Sequence, residues 1–220
     1  MVRGAACRVQ TRRVGSRQRV NTVYTYHHAD EAREWPAEIE VWADSWHRHG
    51  WSPVVLTESD ARRSPLFPEL FECVNSLPTV NGHTYENACY LRWLALHERG
   101  GGLLTDYDVV NRGYRPDHLL ANAPAIHLHL DKVPCAFYAT PAGLETTFEW
   151  WRKPGEPFIV LGQPHYSDMH LCSRFSSFPV DPACSEFGDP RVNGLPLVHC
   201  ASERTRVIGL DKVTVMRSIT

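Results

Sequence analysis

Apolar and polar positions alternate along this chain in two rhythms, one close to two residues and one close to 3.6. The stretch "NTVYTYHH" near residue 24 is crowded with β-branched and aromatic side chains, the composition of a strand. In "WPAEIEVWADSWHRHG", Ile39, Trp42, Ala43 and Trp46 fall at i, i+3, i+4 and i+7, one face of a helix. Pro36 suits its first turn, His47, Arg48 and His49 suit its negative end, and Gly50 suits its stop. "SPVVLTES" follows as a short buried strand. Strand, helix and strand at this spacing predict a βαβ crossover and a parallel sheet.

Residues 61 to 84 are punctuated by prolines and admit a short helix within a long connection. "TYENACYLRWLALHERG" predicts a second helix, with Ala88, Leu91, Leu94 and Ala95 on its apolar face and Gly100 as its break. The strand "GLLTDYD" comes directly after. Further on, "PAIHLHLDKVPCAFYAT" predicts one or two strands, and "GLETTFEWWRK" and "SDMHLCSRF" predict helices. "LPLVHC" and "TRVIGLDKVTVM" predict late strands. The expectation is a single α/β domain with a mostly parallel central sheet flanked by helices.

Composition narrows the reading. The chain has 220 residues, 43% of them apolar and 22% charged, which suits one globular domain with a real core. The net charge of −2 hides an asymmetry. Residues 1–20 carry Arg3, Arg8, Arg12, Arg13, Arg17 and Arg19 and no acid, leaving 17 cationic side chains against 25 acids in 21–220. The Arg-rich tail is expected to be disordered, and the mildly acidic body offers no basic face for nucleic acid. No apolar run reaches the length of a membrane span, and no signal-peptide core is evident at the start. Seven scattered cysteines without a C-x-x-C pair predict reduced thiols in the cytoplasm.

The candidate chemistry lies in Asp106-Tyr107-Asp108. In an extended strand residues i and i+2 point the same way, so the two carboxylates are expected to share a side at the strand's carboxyl end. They are costly to desolvate unless something positive lies between them. Hard oxygen donors in that place suit Mn²⁺ or Mg²⁺, ions that take their remaining ligands from water and substrate phosphates.

The run Arg92-x-x-x-Leu96-x-x-x-Gly100-Gly101-Gly102-Leu103-Leu104-x-Asp106-x-Asp108 resembles the sugar-binding region of DXD-type glycosyltransferases. These are GT-A-fold enzymes such as the initiation-specific mannosyltransferases and the capsular-polysaccharide sugar transferases. The resemblance covers about residues 85 to 110. It implies a GT-A-like domain that moves a sugar from a nucleotide-diphosphate sugar to a hydroxyl on a glycan, lipid or protein. It makes Asp108 a direct metal ligand and brings Asp106 to the donor and, through water, to the metal. Arg92 would project toward the donor. Such enzymes often complete the metal site with a late histidine, a place that "PLVHCAS" fills with His199. The chain departs from the pattern in two ways. An Asp usual three residues before the Arg is Cys89 here, leaving Asn87 or Glu86 to substitute from another helical face, and there is one glycine more than usual.

Other residues carry weaker signals. Ser167 and Asp168 suit a helix N-cap and first turn, and Asp168 doubles as a candidate acceptor-side general base. Tyr24 and Tyr26 are candidates to stack the nucleotide base, against a role in sheet packing. His127-x-His129-x-Asp131 is similar to most of the H-x-H-x-D-H box of metallo-β-lactamase-type hydrolases, with Lys132 in place of the last histidine. The competing reading is a strand with Leu128 and Leu130 buried and both histidines exposed. Two alternatives to a transferase therefore stand: a nucleotide-sugar or glycan-binding module without catalysis, and a metal-dependent hydrolase built on His127, His129 and Asp131.

Overall fold

Successive residues of the inner strands point into two different apolar layers. On β1 (Thr22–Tyr26), Val23 enters one core and Tyr26 the other. On β3 (Gly102–Thr105), Leu103 and Leu104 divide in the same way. A sheet apolar on both sides must be covered on both. The computed structural model describes residues 21–28, 36–119, 125–174, 180, 182–188, 194–207 and 209–220 and shows the two covers. The Arg-rich stretch 1–20 lies outside the described residues.

Among these residues the central sheet also contains β2 (Ser52–Leu56), β5 (Ile126–Leu128) and β6 (Ala136–Ala139), in the order β2-β1-β3-β6-β5. β1 is parallel to β2 and to β3, whereas β6 is antiparallel to both β3 and β5. The sheet is therefore mixed, not mostly parallel. The predicted crossover holds for its first part, where α1 (Ala37–His47) joins β1 to β2. The antiparallel half follows from the short link between β5 and β6, too short for the helix that a parallel return needs.

One face is covered by α2 (Glu58–Arg62), α3 (Phe67–Asn75), α4 (His83–Glu98) and α5 (Pro141–Arg152). They bury Leu70, Leu91, Leu94, Phe148 and Trp151 against Leu104 and Phe137. The other face is covered by α1, by α8 (Lys212–Ile219) and by a small sheet. That sheet runs β4 (Val109–Asn111), β10 (Leu197–His199), β9 (Cys184–Glu186). A hairpin of β7 (Phe158–Val160) and β8 (Gln163–His165) leads to α6 (Asp168–Arg174), and α7 (Ser202–Val207) precedes α8. The expected late strand "TRVIGLDKVTVM" is thus two helices. Asp211 starts the second of them, its carboxylate accepting from the Thr214 backbone N–H at 2.9 Å.

Two local devices aim the chain after α4. Three indole N–H groups on and beside α1 donate to chain exactly in step, each 63 residues further on: Trp42 to Thr105 Oγ1 (2.9 Å), Trp46 to Val109 O (3.1 Å) and Trp51 to Tyr114 O (2.7 Å). At the end of α4, Gly100 N–H bonds His97 O and Gly101 N–H bonds Leu96 O, the paired closure of a Schellman motif. Gly100, Gly101 and Gly102 all have positive φ (82°, 81° and 130°), so the run of three glycines is a conformational requirement. A Cβ on Gly101 would lie 2.4 Å from Ala139 O.

Gly101→Ala should therefore lose about 2–5 kcal/mol, combining backbone strain with a clash into β6. Thermal melting would read this as a drop of several degrees, and an unchanged melting temperature would mean that the β3–β6 edge shifts freely.

Candidate functional site

The carboxylate pair sits on a turn, and this differs from the extended geometry expected of it. β3 stops at Thr105, the Asp106 N–H bonds Cys135 O at 2.7 Å, and the Val109 N–H returns to Asp106 O at 3.0 Å. β4 then begins at Val109 in the other sheet. The chain changes sheets at this point, and the turn folds Asp108 back toward Asp106. Cys200 N–H fastens Asp108 O at 2.8 Å, and β10 ends at His199 opposite Val109. One ligand atom each from Asp106, Asp108 and His199 lies within 4.8 Å of the others. Sequence reasoning named these three residues, and the fold brings them together. Two hard carboxylates and one imidazole fit Mn²⁺ or Mg²⁺. Asp108 Oδ1 is buried with no hydrogen bond of good geometry, its neighbour His199 Nε2 standing 3.4 Å away, and so keeps acceptor capacity of the kind a cation uses.

The positive charge that two close carboxylates require comes from three directions. Arg92, buried on α4, donates through Nη1 to Asp106, through Nη2 to Asp168 Oδ2 at 2.5 Å and through Nε to Cys89 O at 3.1 Å. Lys212 Nζ stands 2.7 Å from Asp108 Oδ2, and His199 Nε2 stands 3.4 Å from Asp108 Oδ1.

These contacts pull the two acids apart. Burial pushes Asp106 up to about 6, aided by Asp108 and Asp168 and opposed by Arg92 and His199. Burial would raise Asp108 as well, but His199 and Lys212 overcome it and hold its carboxyl below the usual range. For His199, burial acts to lower the pKa, yet the Cys135 sulfur and the Asp108 carboxylate leave it well above the ordinary histidine value. Cys135 is itself kept a neutral thiol by burial, so Asp108 is the anion that matters.

Asp168 is placed differently from an acceptor-facing base. It is 3% exposed, and its Oδ2 accepts from both Arg92 and the Trp93 indole (3.1 Å), which stacks on Phe137 with ring centroids 4.0 Å apart. It is the second counter-ion of Arg92. Ser167 keeps its expected capping role, accepting from the His170 N–H at 3.3 Å.

Of the two substitutes for the missing acid, Asn87 turns to Asn75 on α3 (3.1 Å), while Glu86 lies within the fields of Asp168 and Arg92. Burial lifts Glu86 to about 7, against the Asn81 amide that donates to it at 2.5 Å.

Tyr24 and Tyr26 belong to the packing side of β1. Tyr26 is buried among α2 and α4 residues with its hydroxyl toward His28, and Tyr24 lies over Gly102. The aromatic pair beside the carboxylates is instead His27 stacked on Tyr107, with centroids 5.8 Å apart at 24°. His127 and His129 are both buried, contrary to the exposed strand face expected of them. His127 stacks on Tyr138, His129 meets Tyr114 edge-on, and β9 covers them through a Cys184 N–H bond to His129 O. Asp131 is exposed beyond β5, and among the described residues the three form no metal-ligand group. Lys212 was missed because no local pattern links it to a residue 104 positions earlier.

A protein-family model described as "Domain of unknown function (DUF8765)" matches residues 13–123. That stretch is about half of the 220 residues and holds Arg92, Asp106 and Asp108, while Asp168, His199 and Lys212 lie beyond it. No curated protein and no solved structure matches the chain.

Arg92→Met would leave Asp106 and Asp168 facing each other without their shared cation, a change that typically costs about 3–5 kcal/mol. Because Asp106 gains its proton near 6, the loss should be larger at pH 7.5 than at pH 5. Denaturant melts of both proteins at the two pH values measure it, and an equal loss at both would remove Asp106 from the account.

Proposed function

The chain belongs to the family described as a domain of unknown function (DUF8765), and we propose that it is a metal-dependent glycosyltransferase of GT-A-like fold. It would move a sugar from a nucleoside-diphosphate sugar to a hydroxyl on a glycan, lipid or protein. The observation that carries this reading is the grouping of Asp106, Asp108 and His199 at the carboxyl end of β3, beside the buried guanidinium of Arg92. Parallel strands β2, β1 and β3 with helical layers on both faces support the fold assignment, because ligands of such sheets collect beyond the carboxyl ends of the strands.

Asp106, Asp108 and His199, the last after giving up its proton, would hold Mn²⁺ or Mg²⁺, which supplies charge to stabilise the leaving diphosphate. Arg92 keeps Asp106 aimed at the site and adds fixed positive charge that needs no reorganisation during transfer. Asp168 and Trp93 hold Arg92 in that pose. The His27–Tyr107 stack gives the nucleotide base an aromatic surface next to the carboxylates. The six described cysteines are free thiols, which suits the cytoplasmic setting we propose. No helix among the described residues is long and apolar enough to cross a membrane.

A panel of UDP- and GDP-sugars, scanned for thermal stabilisation with and without Mn²⁺, tests the reading. A donor at 100 times its dissociation constant should add roughly 2.7 kcal/mol of stability, and only with the ion present. Binding without release of sugar would make the protein a nucleotide-sugar-binding module, and no stabilisation by any donor would sink both.

Asp108→Asn should cut donor turnover by about 10²–10³, or ~3–4 kcal/mol. The same change should also reduce metal-free stability by about 2 kcal/mol near pH 7, since Lys212 loses its anionic partner. The folded-state pKa of Asp108 is lowered, so its contribution is present above the ordinary carboxylate range and fades as pH falls through the lowered value. The stability gap between the two proteins should therefore close in acid. Full activity in the variant would make the pair structural.

A further inference from the structure

Lys212 has a role that the proposed transfer leaves unassigned. It is the first residue of α8, and its side chain is 17% exposed with Nζ 2.7 Å from Asp108 Oδ2. The helix behind it is firmly held. Asp211 caps it, Val215 and Met216 are buried in the core below the sheet, and Arg48 donates to Thr220 O at 3.1 Å. The ammonium can therefore leave Asp108 only by swinging on its own flexible stem, which keeps it close to the site.

The charges around the turn nearly cancel as they stand. Three carboxylates, Asp106, Asp108 and Asp168, face the two fixed cations Arg92 and Lys212. A divalent ion at Asp106, Asp108 and His199 would take Asp108 Oδ1 and draw on the same negative charge, so the ammonium on Oδ2, a few ångströms away, would be held more weakly and repelled toward an incoming anion. Once displaced, Lys212 would be a largely buried cation without a counter-charge. The site as a whole would then carry surplus positive charge and favour an anion.

From this arrangement, and resting on the metal reading above, we infer that Lys212 is a tethered counter-cation with two partners. It neutralises Asp108 while the divalent ion is absent, and passes to the diphosphate of the ligand that follows the ion. The metal and the lysine are thus competitors for Asp108, whereas the lysine and the metal cooperate toward the diphosphate.

Calorimetric titration with MnCl₂ alone, then with inorganic pyrophosphate at saturating Mn²⁺, separates these two effects by sign. Lys212→Met should bind Mn²⁺ about ten- to a hundredfold more tightly than the wild type, the worth of a charged hydrogen bond. The same variant should bind pyrophosphate more weakly by a similar factor, and Lys212→Arg should restore most of the pyrophosphate affinity.

A second measurement needs no variant. Acetylation of the wild type by an amine-selective reagent, read by mass spectrometry, should label Lys212 slowly without metal, faster with Mn²⁺, and slowly again when pyrophosphate is added. Lys132 and Lys153, both exposed, serve as internal references. Wild-type affinities in Lys212→Met, or labelling of Lys212 indifferent to Mn²⁺, would overturn the inference while leaving the metal site intact. Tighter Mn²⁺ with unchanged pyrophosphate affinity would overturn the passage to the anion. Failure of both proteins to bind Mn²⁺ would overturn the metal reading itself, and this inference with it.

Discussion

A single guanidinium ties together three separate pieces of chain. Arg92 is buried on α4 and reaches Asp106 after β3 and Asp168 at the head of α6. None of the three charges could sit in this place alone, because removing an ion from water is far too costly without a partner. The planar fork of arginine solves the problem in one direction for each carboxylate, and the Trp93 indole takes a further share of Asp168. Helix α4, the turn after β3 and the start of α6 therefore have to adopt mutually consistent positions. The candidate metal centre inherits its precision from that agreement.

The turn itself is held from the opposite side of the sheet. Trp42, Trp46 and Trp51 fill the core beneath it with large apolar rings, while their N–H groups bond to positions 105, 109 and 114. Each indole thus satisfies a buried polar group and sets the path of the chain as it passes from the five-stranded sheet into the three-stranded one. The carboxylates are exposed to solvent at this crossing to different degrees. Asp106 keeps 34% of its side chain in contact with water, whereas Asp108 keeps 11%. Exposure alone would order them the other way; His199 and Lys212 beside Asp108 hold it ionised, whereas Asp108 and Asp168 act with desolvation to raise Asp106.

Much of this was legible from residue patterns. The spacing of Ile39, Trp42 and Trp46 marks α1, the apolar face around Leu91 and Leu94 marks α4, the pairing of Asp106 with Asp108 is visible in residue type, and His199 was added to them only by the family resemblance. The remainder depended on contacts that local sequence does not encode. Val213, Thr214 and Val215 have strand-like side chains, yet Asp211 caps a helix through them, and burial of Val215 and Met216 decides the outcome. Asp106 to Asp108 continue an apolar strand in sequence, but β4 must join a different sheet, and only a turn permits that. His127 and His129 alternate with leucines as an edge strand would, and their burial follows from β9 closing over them, a long-range event.

The distance along the chain between Asp108 and Lys212 also has a consequence for biosynthesis. Their contact spans 104 residues, and His199 too is made long after the carboxylates. At roughly 5–20 residues per second, the ribosome needs on the order of 5–20 seconds to supply the lysine once the aspartate exists. Until then Asp106 has Arg92 beside it but Asp108 lacks its ammonium, and before residue 197 β4 also lacks the strand that completes its small sheet. Completion of the candidate centre thus waits on α8, and a chain interrupted before that helix would emerge with the acids and the imidazole but without the ammonium that balances Asp108.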